Sequence, residues 1–359
     1  MSEAVLVTGG LGLVGSETVK RLAADGRQVV VADIDTPANR KKAQALPAGA
    51  RIRWANLTDS AEVDRLLSEV APAAIIHLAA IIPPPIYRNA KLARKVNVGA
   101  TQTLVRAAES LPEPPRFVQA SSNAVFGARN PHRHHDILTA DTPPRAVDLY
   151  SGTKLEAEEL VRSSSLQWVV LRLGGVLSVD PKAIPFTKDA LFFESCLPTD
   201  GRMHGVDVRD VATAFVNATT ADVVGEILLI AGDDSHKVRQ GEVGKTIAAA
   251  RGMAGVLPDG RPGNPESDDD WFVTDWMDPT RAQEALSFQH HSWDDMVAEM
   301  RARTGWKRYL LRLIVPLARI YVKRQGAYYK SSGKYADPWG AIRARLGEPR
   351  LNTPSARDT

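Results

Sequence analysis

The chain has 359 residues, of which 44% are hydrophobic and 24% are charged. Such a chain can bury a large core, which excludes disordered, collagenous and low-complexity proteins. The single cysteine, Cys196, rules out an internal disulfide and is interpreted as a structural thiol in a cytoplasmic protein. The first residues run directly into an apolar segment, so we expect neither a signal peptide nor a membrane-spanning helix there.

The charge is unevenly distributed along the chain. Residues 301–359 contain 14 Lys and Arg and three acidic residues, a local charge of +11, which leaves −8 on residues 1–300 because the whole chain carries +3. The C-terminal segment therefore needs an explanation separate from that of the body.

Short apolar runs alternate with stretches of helical periodicity from the first residues onward. In chain order they are AVLVT, LVGSETVKRLAADG, QVVVAD, RIRWANL, SAEVDRLLSEV, AAIIHLAA, a helix near 88–111, RFVQASS, a helix near 147–165 and WVVLRL. Strands with near-continuous Val, Ile and Leu are typical of a parallel sheet covered on both faces. The sequence predicts an α/β fold with a doubly wound parallel sheet of Rossmann type, a smaller C-terminal lobe and a basic helical tail.

The turn after the first strand carries glycines at Gly9, Gly12 and Gly15. Glycines there let backbone amides approach a pyrophosphate, and the following helix N-terminus favours an anion. Asp33 ends the second strand about 20 residues later, where a carboxylate can accept both ribose hydroxyls and repels a 2′-phosphate. The pattern predicts a dinucleotide site with NAD favoured over NADP.

Two further features bear on this dinucleotide site. Arg40 and Lys41 lie a few residues beyond the second strand and would favour a 2′-phosphate, but we interpret them as solvated helix charges. Asn56 and Leu57 close the third strand, a placement suited to the adenine edge.

These residues resemble the extended short-chain dehydrogenase/reductase family, which includes nucleotide-sugar epimerases and dehydratases and 3β-hydroxysteroid dehydrogenases. The matching motifs are TGGLGLVG, Asp33, NLTD at 56–59, HLAA at 77–80, NVGAT at 97–101, SSNAVFG at 121–127, YSGTK at 150–154, LRLGG at 171–175, DVRDVA at 207–212 and DPTRAQEALSF at 278–288. The resemblance implies cofactor contacts from Gly9, Gly12, Leu13, Gly15, Asp33, Asn56, Leu57, Leu78, Ala79, Ala80, Tyr150 and Lys154.

The YSGTK motif suggests an acid/base pair. Tyr150 and Lys154 are four residues apart, so on a helix the ammonium would lie beside the phenol and lower its pKa. The resemblance assigns the hydroxyl that holds the substrate oxygen to Ser122, with Ser121 as the alternative. It also implies that Lys154 holds the nicotinamide ribose and that Asn97 gives structural support or relays a proton through water.

Departures from the family pattern narrow the reaction. Asn123 and Ala124 stand where sugar-nucleotide dehydratases have two acids, so dehydration is not expected. Gly174 and Gly175 replace an Asn that contacts the diphosphate in nucleotide-sugar epimerases. The prolines at 83–85 predict a stiff apolar wall that suits an apolar or aromatic substrate. The predicted substrate contacts are Pro83, Ser122, Asn123 and Gly175.

Three segments have more than one interpretation. The histidine-rich run at 132–136 is interpreted as a substrate loop, and no metal is predicted. Trp271, Phe272 and Trp276 are expected in the core of the C-terminal lobe, with substrate contact as the alternative. Residues 306–330 form a basic amphipathic segment, which we expect to pack on the acidic body or in an oligomer, with docking in a membrane interface as the alternative and no nucleic-acid binding.

Together these patterns predict an NAD-dependent oxidoreductase that interconverts a secondary alcohol and a ketone, with Tyr150 as acid/base and an apolar or aromatic small-molecule substrate. A sugar or nucleotide-sugar epimerase would use the same residues, and a non-catalytic dinucleotide-sensing protein is a third hypothesis. We expect a homodimer. The predicted division is a Rossmann domain at 1–175, completed by about 201–231, a substrate lobe at 176–200 and 232–300, and an extension at 301–359.

Overall fold

The computed structural model describes residues 4–183 and 187–351. Its strands are β1 (Val5–Thr8), β2 (Val29–Asp33), β3 (Arg51–Trp54), β4 (Ala74–His77), β5 (Arg116–Ser122), β6 (Trp168–Leu173), β7 (Gly175–Leu177), β8 (Arg202–Asp207), β9 (Ile227–Ile230) and β10 (Lys237–Arg239). Within the described residues, seven strands form a parallel sheet in the order β3-β2-β1-β4-β5-β6-β9, and three form a smaller sheet in the order β10-β8-β7. The predicted doubly wound parallel sheet is confirmed.

Helices connect these strands and continue beyond them. They are α1 (Leu13–Ala24), α2 (Pro37–Ala43), α3 (Ser60–Val70), α4 (Ala90–Arg94), α5 (Ala100–Glu109), α6 (Leu149–Arg162), α7 (Lys188–Cys196), α8 (Val208–Ala218), α9 (Gln240–Ala250), α10 (Thr280–Leu286), α11 (Trp293–Thr304), α12 (Lys307–Gln325) and α13 (Pro338–Arg345). Short 3₁₀ turns cover Pro85–Arg88, Asn123–Phe126 and Asp234–His236, and a π-helical turn covers Lys95–Gly99 between α4 and α5.

The strands of the central sheet pack against a hydrophobic core on each of its two faces. Val5 and Val7 belong to the core on one face of the central sheet and Leu6 to the core on the other, and all three are fully buried. The first core also contains Val19, Phe215 and Leu286 from α1, α8 and α10, and the second contains Leu67, Leu104 and Val161 from α3, α5 and α6. Burial on both faces explains why the strands lack polar alternation.

The strand order reverses between β1 and β4, because β2 and β3 lie on one side and β5, β6 and β9 on the other. Ligands of open parallel sheets bind in the crevice at the carboxyl ends of such strands. The loops after β1 and β4, the end of β5 and the start of α6 all meet at this edge, so the topology brings together the cofactor and catalytic motifs of the sequence.

A second body of apolar side chains lies between the sheet edge and the C-terminal residues. We call it the C-terminal cluster; it contains Ile86, Tyr87, Phe192, Phe193, Cys196, Trp339, Ile342 and Leu346, with Ile81, Tyr150 and Phe272 packed against it. Burial raises the pKa of the Cys196 thiol to about 12, and its Sγ donates to the Phe192 carbonyl at 3.2 Å, which fits a structural thiol.

The division drawn from the sequence at residue 301 falls inside α11. Beyond it, α12 runs without interruption through Pro316, and α13 contributes Trp339 and Ile342 to the C-terminal cluster. Much of the predicted extension therefore packs as part of the lobe. Across the part of the chain that the structure describes, no helix is both long enough and apolar enough to cross a bilayer.

Candidate active site

The turn from β1 into α1 leaves no room for a side chain at Gly9 or at Gly15. Gly9 has a φ of +67°, and a Cβ on it would lie 2.7 Å from the backbone nitrogen of Ala79. A Cβ on Gly15 would lie 2.3 Å from the Gly9 carbonyl oxygen. Gly12 is the N-cap of α1 and supplies no side-chain hydrogen bond, so the free amides of this helix end can bind an anion. The predicted glycines form a cradle that fits the pyrophosphate of a dinucleotide.

The carboxylate of Asp33 lies at the end of β2 beside this cradle. Its Oδ2 accepts from the Leu11 backbone amide at 3.2 Å, and its Oδ1 accepts from the Asn39 side-chain amide at 3.0 Å. Burial raises the pKa of Asp33, and the backbone amides of Ile34 and Leu11 and the charge of Lys42 oppose this rise. Asn39 and Lys42 were not identified from the sequence, where α2 showed only a run of polar residues.

Two basic residues of α2, Arg40 and Lys42, have different partners. Arg40 forms a two-point ion pair with Asp35, with distances of 2.6 and 2.7 Å, at the exposed surface. The interpretation of Arg40 as a surface charge agrees with this geometry. Lys42, in contrast, donates to the Leu11 carbonyl at 3.3 Å and so braces the glycine loop.

The remaining predicted cofactor residues lie along the same edge. Leu13 opens α1, and Leu78–Ala80 follow β4, where Ala79 meets the glycine loop. Asn56 is half-buried, and its Oδ1 accepts from the backbone amide and hydroxyl of Thr58, while Leu57 is buried in the core. The Leu57 side chain thus packs inward, and only the backbone of Leu57 lies at this edge.

The two serines at the end of β5 have different partners. Ser121 is buried, and its hydroxyl donates to Glu158 beneath the site. Ser122 is half-buried; its Oγ accepts from the Ala124 amide at 3.2 Å, and it lies close enough to the Tyr150 phenol to lower the pKa of that group. Of the two serines weighed from the sequence, Ser122 is therefore the one that the structure brings to Tyr150.

Tyr150 lies in the first turn of α6, whose N-cap is Asp148. Burial raises the pKa of Tyr150 to about 12; the hydrogen bond with Ser122 lowers it, and the Asp148 carboxylate adds to the rise. The spacing of Tyr150 and Lys154 predicted the opposite direction. The sequence prediction combined the ammonium with the positive nicotinamide; in the structure, burial outweighs the lowering of the pKa by Ser122, and Lys154 Nζ donates to the Ala120 carbonyl.

Lys154 is buried one turn further along α6. Its Nζ donates to the Ala120 carbonyl at 3.0 Å, which turns the ammonium toward β5. Burial lowers the pKa of Lys154 to about 8, and the carboxylate of Glu158 opposes this shift. The charged form of Lys154 is thus favoured less than that of a lysine in water, and the nearby Glu158 carboxylate is what supports it.

A buried ion pair supports this part of the site. Glu158 accepts from Arg172 Nε at 3.0 Å and from a terminal nitrogen at 2.7 Å, and it also accepts from Ser121. The exposed fractions of the Arg172 and Glu158 side chains are 2% and 0%. The Arg172 guanidinium also lies over the Phe126 ring, 4.9 Å from its centroid. Neither charged residue was identified as important from the sequence.

Asn97 holds the chain after β4. Its Oδ1 accepts from the Ile81 amide at 2.7 Å, and its Nδ2 donates to the Ile81 carbonyl at 2.9 Å and to Thr153 at 3.2 Å. It therefore fixes the segment leading into Pro83 and joins it to α6, in line with the structural role weighed for it from the sequence. Pro83 itself is half-buried.

The other predicted substrate contacts lie at the ends of β5 and β6. Asn123 is 5% exposed, and it opens the 3₁₀ turn after Ser122. A Cβ on Gly174 would lie 2.4 Å from the His204 carbonyl oxygen, and one on Gly175 would lie 2.1 Å from the Met203 side chain. The close approach of β8 thus explains the two glycines.

The C-terminal residues reach the first turn of α6. Asp148 accepts a hydrogen bond from the Tyr87 hydroxyl at 2.7 Å, and the next residue, Leu149, donates its amide to the Pro349 carbonyl at 2.7 Å. A Cβ on Gly152 would lie 2.4 Å from the Leu351 side chain. These contacts fix the turn that carries the candidate acid/base, and no sequence motif pointed to them.

Comparison with known proteins agrees with this geometry. Residues 5–231 match the model of the NAD dependent epimerase/dehydratase family. The chain is 30% identical over 274 residues to a dTDP-glucose 4,6-dehydratase of Neisseria gonorrhoeae, covering 68% of this chain and 77% of that protein. It is 28% identical over 197 residues to methionine adenosyltransferase 2 subunit beta of Bos taurus, and it spans about half of that protein, 53%.

A similar solved structure is the UDP-glucose 4-epimerase of Thermus thermophilus in complex with NAD. Its TM-score is 0.67 at 23% identity, and the match covers 84% of this chain and 98% of that one. At this identity the likeness concerns the fold. The family match over residues 5–231 establishes that the chain belongs to the NAD-dependent epimerase/dehydratase family and is an enzyme that uses NAD, and the fold agrees with this.

Proposed function

We propose that this enzyme acts as an epimerase on a sugar linked to a nucleotide, by oxidising a secondary alcohol carbon of the sugar to a ketone and reducing it again on the opposite face. The observation that carries the proposal is the placement of the Ser122 hydroxyl next to the Tyr150 phenol, beside the glycine cradle. The two hydroxyl groups suit the reversible transfer of one proton at a substrate oxygen.

NAD, when bound, supplies a hydride acceptor and a positive charge that lowers the pKa of a neighbouring phenol. In the proposed role, Tyr150 accepts the proton of the substrate hydroxyl and returns it to the ketone oxygen. Ser122 hydrogen-bonds that oxygen throughout, and the Ala124 amide that donates to Ser122 Oγ orients the serine hydroxyl. Lys154 would hold the nicotinamide ribose.

Positive charge in the C-terminal lobe supports an anionic substrate. Arg129 donates to Asp275 at 2.7 Å, and the Arg202 guanidinium lies 3.5 Å from the same carboxylate. Arg202 and Arg239 both lie over the Trp276 ring, 4.8 and 5.3 Å from its centroid. Among the described residues, Arg202 Nε has no hydrogen-bond partner. Arg129 also pairs with Asp136 at 2.9 Å, so Arg202 Nε is a guanidinium nitrogen of this group that is left for an anion such as a nucleotide diphosphate.

Two observations bear on the competing reactions. Dehydration is disfavoured because the buried Asn123 and Ala124 occupy the positions that carry acids in dehydratases. Net dehydrogenation of an apolar alcohol is the second candidate, because Tyr150 packs against the aromatic side chains of the C-terminal cluster. The relative named dTDP-glucose 4,6-dehydratase favours a nucleotide-linked sugar as the substrate, although its own reaction is the dehydration that Asn123 and Ala124 disfavour here.

The experiment is a substrate panel with two readouts. The enzyme is incubated with NAD and either UDP-glucose, UDP-glucuronic acid, dTDP-glucose, a sterol or an aryl alcohol. Chromatography follows epimer formation, and fluorescence follows NADH accumulation. The proposal expects a new epimer of a nucleotide sugar without accumulated NADH, and loss of that activity in Tyr150→Phe. Accumulation of NADH with a sterol or aryl alcohol would support the second candidate instead.

A further inference from the structure

Helix α12 presents an apolar face to solvent. Its exposed side chains recur every three or four residues, so they form one continuous stripe along the helix. Leu313 and Leu317, in its middle, are 75% and 74% exposed. The stripe consists of Trp306, Tyr309, Leu310, Leu313, Ile314, Leu317, Ile320 and Tyr321. With 19 residues, α12 is about 28 Å long, so the stripe is far larger than the isolated apolar residues of ordinary surfaces.

The opposite face of α12 fixes the helix to the body. Val322 is buried, and it packs with Val256 and Leu191; Val315 and Ala318 join the same group of side chains. The helix is therefore held on the lobe through one face while its larger apolar face points outward. Leu191 belongs to α7, which also supplies Phe192 and Phe193 to the C-terminal cluster.

A basic stripe borders the exposed apolar stripe. Arg312, Arg319 and Lys323 are exposed and follow one another at helical spacing. Arg308, which is half-buried, continues the same line. Residues 306–330 contain seven Lys and Arg and no Asp or Glu. Aromatic residues stand near both ends of the apolar stripe, Trp306 and Tyr309 at one and Tyr321 at the other.

We propose that α12 docks on the surface of a bilayer rich in anionic phospholipids and lies parallel to it. Leucine and isoleucine side chains would enter the boundary between headgroups and acyl chains, tryptophan and tyrosine suit the headgroup level, and the arginines would pair with lipid phosphates. Two signals, apolar burial and positive charge, act together, as reversible membrane binding by a single helix requires.

A second copy of the chain fits this surface less well. Antiparallel contact of α12 with α12 across a twofold axis would place both basic stripes on the same flank of the interface, with like charges near each other. An anionic membrane would instead pair with the cations of the basic stripe while the apolar stripe enters it. This charge complementarity is the reason for choosing lipid as the occupant.

The test is co-sedimentation of the full chain with vesicles. Wild type is compared on phosphatidylcholine vesicles and on vesicles that also contain phosphatidylglycerol, at low and high salt. Leu313→Glu/Leu317→Glu removes the centre of the stripe, and Leu92→Glu/Val224→Glu is the matched control, because these two side chains are also exposed, at 46% and 44%. All variants are checked for thermal stability and NAD binding.

We expect binding to the anionic vesicles that weakens at high salt and falls by more than about tenfold in Leu313→Glu/Leu317→Glu but not in the control. Brominated lipid should quench the fluorescence of wild type and quench Trp306→Phe less. Absence of vesicle binding in wild type would overturn the proposal. The proposal would also be overturned if wild type forms a dimer in light scattering, Leu313→Glu/Leu317→Glu does not, and neither protein binds vesicles. The occupant of the stripe would then be a second copy of the chain.

Discussion

Replacing Glu158 by Gln should destabilise the protein strongly, although the two side chains have nearly the same shape. Glu158 holds Arg172 by two hydrogen bonds, and both side chains are almost completely buried. The variant keeps one acceptor oxygen but leaves the arginine charge uncompensated. Breaking a buried pair in this way costs about 3–5 kcal/mol, which is a large part of the roughly 5–15 kcal/mol that stabilises a typical domain.

Urea unfolding at neutral pH, followed by circular dichroism, measures this loss. Glu159→Gln is the matched control, because its side chain is 70% exposed and its pair with Arg162 is at the surface. Glu158→Gln/Arg172→Met should regain part of the stability, because no buried charge then remains unpaired. A loss below about 1 kcal/mol, or a double variant no more stable than the single one, would refute this account of the network.

Glu158 also acts on the candidate site through Lys154. Its carboxylate opposes the lowering of the Lys154 pKa, so in Glu158→Gln that pKa should fall below about 8. A smaller fraction of Lys154 would then be protonated at slightly alkaline pH. We expect the alkaline limit of activity to shift to lower pH in Glu158→Gln and to stay in place in Glu159→Gln.

Four other predictions concern the cofactor and acid/base residues. Gly15→Ala should abolish NAD binding in calorimetry, because its Cβ would lie 2.3 Å from a backbone oxygen, whereas Gly99→Ala should be silent, because nothing lies within 4 Å of its Cβ. Asp33→Asn should reduce the preference for NAD over NADP by at least about tenfold in Kd, since a neutral amide no longer repels a 2′-phosphate. Burial lowers the Lys154 pKa from 10.5 to about 8, so between these pH values the unfolded chain binds more protons than the folded one. The free energy of unfolding should therefore increase as the pH rises from 8 to 10.5, and Lys154→Met should lack this increase. Tyr150→Phe should keep NAD affinity within a few-fold of wild type and lose turnover, and near-normal turnover would place the acid/base elsewhere.

Local patterns carried the prediction of the fold and the position of the cofactor site. Buried parallel strands have a recognisable composition, and a glycine turn followed by Asp33 has a fixed place in a βαβ unit. Both signals lie within a short stretch of chain, so one sequence suffices to read them. The meeting of Gly9 with Ala79 also follows, since β1 and β4 are neighbours in every sheet of this topology.

The burial and the hydrogen-bond partners of the site residues, in contrast, could not be predicted from their spacing in the sequence. Tyr150 and Lys154 share a helix face, yet burial raises the pKa of the phenol, and the ammonium donates to Ala120, which is 34 residues away. Glu158 and Arg172 are distributed over a helix and a strand, and nothing in either segment shows that both are buried. Desolvation depends on all the atoms around a group, which a short motif does not contain.

The C-terminal residues show how far such effects extend. Leu149 bonds to Pro349, and Leu351 fills the space beside Gly152, so the first turn of the helix that carries Tyr150 is held by chain about 200 residues away. The same segment follows α12, which α7 connects to the C-terminal cluster. Two structural connections thus join α12 to Tyr150, packed side chains on one route and the C-terminal backbone on the other, and a contact that shifted α12 would load both. In this arrangement, the stability of the tail and the position of the phenol are not independent properties.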